Sequence, residues 1–308
     1  MKKNVLSFKN LNKIYNRKNS SSIKALNNLN LDVNEGEIFG LLGPNGAGKT
    51  TFINILGGTV IKTSGKVNVH GFDLDENPRQ VRASIGIVPQ EVNLDPFFSP
   101  RKILELQAGL YGIKKKDRIT ETVLKLVSLN NQADSYARSL SGGMKRRLLM
   151  AKALVHQPPI IILDEPTAGV DVDLRKNLWN NVRLLNDLGV TIILTTHYLE
   201  EAEKMCDRIG ILNKGELVAL DTTNNLLNRI QTKKVIFKIN KKIEIENGIL
   251  KSLKVIHNNN NELCVTYEKN KIKIEEIINF IKIKKVEIID VITYDADLED
   301  VFLELTKN

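Results

Sequence analysis

Two cysteines, Cys206 and Cys264, are the only thiols in 308 residues. They are too few for a disulfide framework and lack metal-binding spacing, so they are read as reduced, packed thiols without a role. Long apolar runs are missing as well, since none approaches the ~20 residues that cross a bilayer. Lys2 and Lys3 open the chain as a secretory signal would. The polar and charged residues from Ser7 to Lys13 then leave no apolar segment of adequate length, and a cytoplasmic location is expected. Acidic residues are the minority charge, 36 against 45 Lys and Arg, for a net +9. The lysines are scattered among asparagines and isoleucines, and the densest run, Lys114-Lys115-Lys116, is short. No dedicated nucleic-acid face is expected from that pattern, while attraction to a cytoplasmic membrane surface stays open.

What the chain does contain is a glycine-rich run, Gly43-Pro44-Asn45-Gly46-Ala47-Gly48-Lys49-Thr50-Thr51, that fits G-x-x-x-x-G-K-[ST] at every fixed position. An apolar strand, Ile38 to Leu42, precedes it, and a segment of helical character, Thr51 to Leu56, follows. Glycines let successive backbone N–H groups converge on phosphates, and the helix adds the positive end of its dipole. Lys49 is the point charge for the β- and γ-phosphates, and the Thr50 hydroxyl is placed to ligate Mg²⁺. Downstream, Ile160 to Leu163 reads as a buried parallel strand that delivers Asp164 and Glu165 at its carboxyl end, where open α/β sheets bind ligands. Asp164 suits a water-mediated hold on Mg²⁺, and Glu165 suits a base for the attacking water. Between these lies Leu140-Ser141-Gly142-Gly143-Met144, ahead of a segment with helical spacing at Leu148, Ala151, Leu154 and Val155. Ser141 can cap that helix and, with the glycine N–H groups, present donors to an anion. The three elements together specify an ATPase.

Loop, Ser-Gly-Gly turn and Asp-Glu strand in this order resemble the ATP-binding cassette (ABC) ATPases, with Asp164 following Gly143 by 21 residues. The resemblance covers about Val5 to Leu220 and implies further roles. Tyr15 would stack on adenine, or is an ordinary half-buried strand tyrosine. Gln90 would touch Mg²⁺ and the attacking water, and His197 the γ-phosphate. Asp171, in Ala168-Gly169-Val170-Asp171, would lie in the loop that crosses a dimer interface, or is only an N-cap. Met144 stands where most of the family has Gln. The run Gly143-Met144-Lys145-Arg146-Arg147 and the ending Asp297-Leu298-Glu299-Asp300-Val301-Phe302 are similar to the type-2 exporter branch, whose permease is a separate membrane chain. A chain with one cassette implies a homodimer that shares its nucleotides between one subunit's loop and the other's Ser141-Gly142-Gly143. It also implies a peripheral position on the cytoplasmic face of the inner membrane. The alternative from another class is a soluble ABC ATPase acting on ribosomes or nucleic acid.

The expected fold is α/β: a P-loop NTPase core with an antiparallel β layer and a helical subdomain, followed by a small α+β domain. Boundaries are placed at 1–222 for the cassette, with the helical subdomain at about 91–157, and at 223–308 for the accessory domain. Strands are read at Val5 to Phe8, Leu29 to Val33 and Lys66 to Val69. A helix is read from Asp171 to Leu188, a buried strand from Val190 to Thr195, and a hairpin turn at Asn213-Lys214-Gly215-Glu216. Beyond Thr232, alternation at Val235, Phe237 and Ile239 and at Leu263, Val265 and Tyr267 marks strands. Ile274, Ile277, Ile278 and Ile281 mark a helix face.

Overall fold

A computed structural model describes residues 3–17, 20–168, 170, 172–243, 253–259, 261–295 and 297–306. They form two compact units, Met1–Thr222 and Thr223–Asn308.

The first unit opens with two long strands, β1 (Asn4–Arg17) and β2 (Ser20–Asn34), which pair antiparallel. Sequence alternation suggested much shorter ones. The pairing is interrupted by register shifts, and Asn10 and Asn28 adopt positive φ of 50° and 49°. Asparagine tolerates that left-handed conformation, so the shifts next to these two residues reset the inside-outside alternation without ending the strands. The sheet is completed by β4 (Ser64–Val69) and β5 (Phe72–Asp73), in the order β2-β1-β4-β5.

The second sheet holds β3 (Ile38–Leu42), β6 (Ile85–Val88), β7 (Ile160–Asp164), β8 (Thr191–Thr196), β9 (Arg208–Asn213) and β10 (Glu216–Thr222), in the order β10-β9-β3-β8-β7-β6. All neighbours are parallel except the β9–β10 hairpin. Every residue of β3 and β8 is buried, as strands covered on both faces require. Helix α1 (Lys49–Leu56) packs between the two sheets. Its Phe52 ring meets Phe8 of β1 with centroids 4.7 Å apart, and Ile53, Ile55 and Leu56 complete one continuous core with both sheets. Burying a side chain of this size contributes about 1.5–3 kcal/mol, and that packing anchors the loop before α1.

After α2 (Pro78–Ala83) and β6, the chain turns helical with α3 (Pro100–Leu110), α4 (Thr120–Leu126) and α5 (Gly142–Leu154). The remaining helices of this unit are α6 (Val172–Asp187) and α7 (Leu199–Met205). Cys206, the C-cap of α7, is buried, and burial drives its thiol far up from its ordinary value.

The second unit contains α8 (Thr223–Arg229), β11 (Thr232–Ile239), β12 (Leu253–Asn258), β13 (Glu262–Glu268), α9 (Ile274–Ile283), β14 (Ile288–Asp295) and α10 (Leu298–Thr306). Its antiparallel sheet, ordered β12-β13-β11-β14, packs Val235, Phe237, Leu263 and Val265 against Ile277 and Ile281 of α9. Among the described residues no helix is long and apolar enough to cross a membrane.

One packing detail carries a pH dependence. His156, just beyond α5, stacks on Tyr111 with ring centroids 3.8 Å apart and planes 4° from parallel, beside a cavity of about 300 Å³. Its Nε2 lies 3.1 Å from the Ile85 carbonyl, which only accepts, so Nε2 carries the proton. Nδ1 is then a buried lone pair, without a partner among the described residues. Burial lowers the pKa of this histidine, opposed by the Ile85 hydrogen bond. The unfolded chain therefore binds a proton at about pH 6.5 that the folded chain resists. Stability is complete above that pH and declines as pH falls toward the folded-state value. The melting temperature is expected to drop more steeply between about pH 7.5 and 5 in the wild type than in His156→Phe, which keeps the stack but cannot titrate. Parallel melting curves across that range would refute the assignment.

Candidate functional site

The glycine-rich run is the connection from β3 to α1, and two of its glycines are dictated by close approach. A Cβ on Gly43 would meet the Leu212 carbonyl oxygen at 2.3 Å. Gly48 has φ +115°, and a Cβ there would meet the Ala25 oxygen at 2.5 Å. The helix begins at Lys49, two residues earlier than its sequence signal, so Lys49 and Thr50 lie in its first turn. From there the Lys49 ammonium turns back to donate to the Gly43 carbonyl at 2.6 Å and the Pro44 carbonyl at 3.3 Å. Burial pulls its pKa below the usual lysine value, while the charges of Glu165 and Asp164 oppose that shift.

β7 delivers the two acids to the same place. The Asp164 carboxylate accepts from Thr195 Oγ1 at 2.6 Å. Burial raises its pKa, the Thr195 hydrogen bond and Lys49 pull it down, and Glu165 pushes it further up. Glu165 leaves the strand with φ +46°, a conformation worth about 1 kcal/mol or more of strain in a residue other than glycine. Its own N–H donates to the Thr195 carbonyl at 3.0 Å, which ties the turn to β8. That turn makes the Glu165 carboxylate the meeting point of three side chains. Gln90 Nε2, just past β6, donates to it at 3.1 Å. His197 Nδ1, at the end of β8, lies 3.2 Å away, and Lys49 Nζ lies 3.9 Å away. Lys49 and Glu165 are buried, at 6% and 9% of full exposure, whereas His197 is open to solvent.

These groups face a cavity of about 760 Å³. Pro44, Asn45, Gly46, Ala47, Gly48, Lys49, Thr50 and Thr51 line it, together with Gln90, Glu165 and His197. Gly43 and Asp164 are not among its lining residues. Tyr15 does not line it either; its cross-strand partner Ile23 does, and Tyr15 instead lies under the Lys13 ammonium at 4.7 Å from its ring centroid. Ser141, Gly142 and Gly143 are not brought to this cavity. They open α5, where Ser141 Oγ accepts from the Met144 N–H at 3.2 Å, a cap worth about 1 kcal/mol. Asp171 lies outside the described residues.

Three further wall residues, Ile23, Lys24 and Ala25 from β2, escape sequence reading, and Ala168 and Lys214, read there only as parts of a loop and a hairpin turn, line the wall as well. Lys214 was legible as a hairpin residue, but its place here depends on a long-range bond in which the adjacent Gly215 N–H donates to the Ala47 carbonyl at 2.9 Å. Thr195, which holds both acids, carried no motif signal.

The residues that could hold a cation, Thr50 and Gln90 in the wall with Asp164 outside it, would offer only oxygen donors, which suit a hard ion such as Mg²⁺. The positive partner for phosphates is a buried ammonium at a helix amino end preceded by backbone N–H groups. The arrangement suits a phosphate ester, with the Glu165 carboxylate at the head of the cavity.

Comparison with known proteins agrees with that geometry. The family model described as ABC transporter matches residues 26–168. The linearmycin resistance ATP-binding protein LnrL of Bacillus subtilis is 39% identical over 229 residues, which are 73% of this chain and 72% of that protein. A Nod factor export ATP-binding protein I from a Rhizobium species is 42% identical over 204 residues, 66% of this chain and 67% of that one. A solved ATP-binding cassette, a dimer in a post-hydrolysis state bound to ADP and Pi, aligns with a TM-score of 0.63 at 29% identity, covering 71% of this chain and 98% of that one. These likenesses favour a transporter ATPase over a soluble ATPase acting on ribosomes or nucleic acid. The chain belongs to the ATP-binding cassette family and is an ATPase of the ABC transporter type.

Proposed function

We propose that this chain is the ATP-hydrolysing subunit of an exporter, working as a homodimer on a separate membrane permease at the cytoplasmic face of the inner membrane. The observation that carries the reading is the convergence of Lys49, Gln90 and His197 on Glu165 at the head of the cavity, while the Ser141 turn of the same chain stays away from it. A site built this way is complete only when a second copy brings its Ser141, Gly142 and Gly143.

In that dimer the loop N–H groups and Lys49 bind the triphosphate, and Tyr15 with Ile23 flanks the adenine. Thr50, Gln90 and Asp164 would hold Mg²⁺, which when bound neutralises phosphate charge. Glu165 takes the proton of the attacking water, with Gln90 and His197 fixing its orientation. Ser141 and the glycines donate to the γ-phosphate from the opposite subunit, and Asp171 lies along the same interface. ATP thereby contacts both halves more fully than ADP, and losing that differential contact lets the halves part. The exposed pair Phe97 and Phe98 is the docking surface for a permease helix, and the unit from Thr223 onward is an accessory domain. The relatives named for Nod factor export and linearmycin resistance support export as the direction.

Complementation tests the sharing. A heterodimer of one Ser141→Arg chain and one Lys49→Ala chain retains one intact loop facing one intact turn, and is expected to hydrolyse ATP although each homodimer is inactive. A heterodimer no more active than either homodimer would refute the shared site.

A further inference from the structure

We infer that the buried pair Thr167 and Glu201, with the half-buried Arg146, forms a relay that positions Glu165 and His197 according to the placement of the helix capped by Ser141, and so couples the two nucleotide sites of the dimer. The inference rests on the nucleotide-site reading above. It concerns residues that do not touch nucleotide in that reading.

Thr167 is completely buried and Glu201, in the first turn of α7, is 7% exposed. The Thr167 hydroxyl donates to Glu201 Oε2 at 2.6 Å. The other carboxylate oxygen, Oε1, lies 3.3 Å from Arg175 Nε, an ion pair whose geometry falls short of a hydrogen bond. A carboxylate enclosed to this degree is costly, and an apolar pair of the same volume would hold two helices and a turn together at least as well. Retaining it serves direction: the bond orients the turn that follows Glu165 relative to α7.

From that bond two paths reach the site. The Arg175 guanidinium lies over the Tyr198 ring at 5.5 Å, and the Tyr198 ring packs on His197 with centroids 4.2 Å apart. On the other side, the Ala168 N–H donates to the Glu165 carbonyl at 3.2 Å, closing the turn that sets the glutamate's left-handed backbone. Arg146 then binds this turn to α5: Nη1 donates to the Pro166 carbonyl at 3.2 Å and Nη2 to the Ala168 carbonyl at 2.5 Å. Ser141 and Arg146 belong to the same helical segment, the first as its cap and the second in its second turn. A shift of α5 on engaging the partner's nucleotide therefore moves the Pro166–Ala168 carbonyls, and with them Glu165 and the Thr167–Glu201 bond that leads to His197. Occupancy of one site is felt as catalytic alignment at the other.

Thr167→Val removes only the hydroxyl and keeps the shape. In the full-length chain it is expected to lower kcat about tenfold or more, leave nucleotide affinity within about twofold, and bring the Hill coefficient for ATP toward one, with Thr167→Ser restoring all three. Glu201→Gln, which still accepts from Thr167 but loses the charge facing Arg175, should move kcat and cooperativity the same way by a smaller factor. The relay is refuted if Thr167→Val keeps wild-type kcat and cooperativity, or if its affinity falls as far as its kcat, as a loosened fold would produce. Should Thr167→Val not fold, Glu201→Gln is judged by the same two criteria. Lys49→Ala is measured beside them. Its loss of nucleotide binding upholds the site reading whatever Thr167 does, and retained binding overturns that reading and the relay with it.

Discussion

Glu165→Gln is expected to abolish turnover while leaving nucleotide binding intact, with kcat falling about 10²- to 10⁴-fold. The substitution keeps the size and planarity of the side chain and one oxygen to accept from Gln90, which donates at 3.1 Å. What it removes is a basic oxygen at the point where Lys49, Gln90 and His197 meet. The change in ground-state binding should be small, because in the proposed site the phosphates are held by the loop N–H groups and by Lys49, whose two hydrogen bonds go to loop carbonyls. A dimer that binds ATP but cannot hydrolyse it has no route back to the open form, so the variant should elute as a dimer with MgATP and as a monomer with MgADP. Steady-state phosphate release and size-exclusion chromatography check both halves. Turnover within about threefold of wild type would remove Glu165 from the role of base.

The fold was legible in the sequence where one physical cause governs a stretch. β3 and β7 read as apolar runs and β8 as a short apolar core between buried threonines, and α6 buries Leu178, Val182 and Leu185 at helical spacing. The cap at Ser141 was equally legible, because a serine binding the N–H three residues on is a local event. β1 and β2 were read too short, since left-handed Asn10 and Asn28 shift the alternation partway along otherwise continuous strands. Long-range partners were not legible at all. Nothing near Thr195 announces that its hydroxyl meets Asp164, 31 residues earlier. Arg146 likewise meets carbonyls 20 and 22 residues away through the packing of a helix on a turn. The motifs named Lys49, Gln90, Glu165 and His197, whose side chains the fold brings together. The groups that hold them in place come from wherever the sheet order β10-β9-β3-β8-β7-β6 brings the chain.

Lys49→Ala is expected to weaken nucleotide binding by about 10²- to 10³-fold, equivalent to about 3–4 kcal/mol, with the fold retained. The ammonium is the buried cation beside two carboxylates, and Glu165 lies 3.9 Å from it. Removing one partner of a buried pair costs more than the pair contributes, because the remaining charge is left enclosed. Here the charges left are negative, at the spot where further negative phosphates have to enter, so repulsion compounds the lost attraction. Asp164, already held above the usual carboxylate range by burial and by Glu165, loses the ammonium that pulls it down and is pushed higher still. Folding should survive, because α1 is anchored by Phe52, Ile53, Ile55 and Leu56 in the core, and alanine is the better helix former at position 49. Titration with a fluorescent ATP analogue, alongside thermal melting, separates the two effects. A dissociation constant within about threefold of wild type in a folded Lys49→Ala chain would mean that the cavity between β3 and α1 is not where the triphosphate binds.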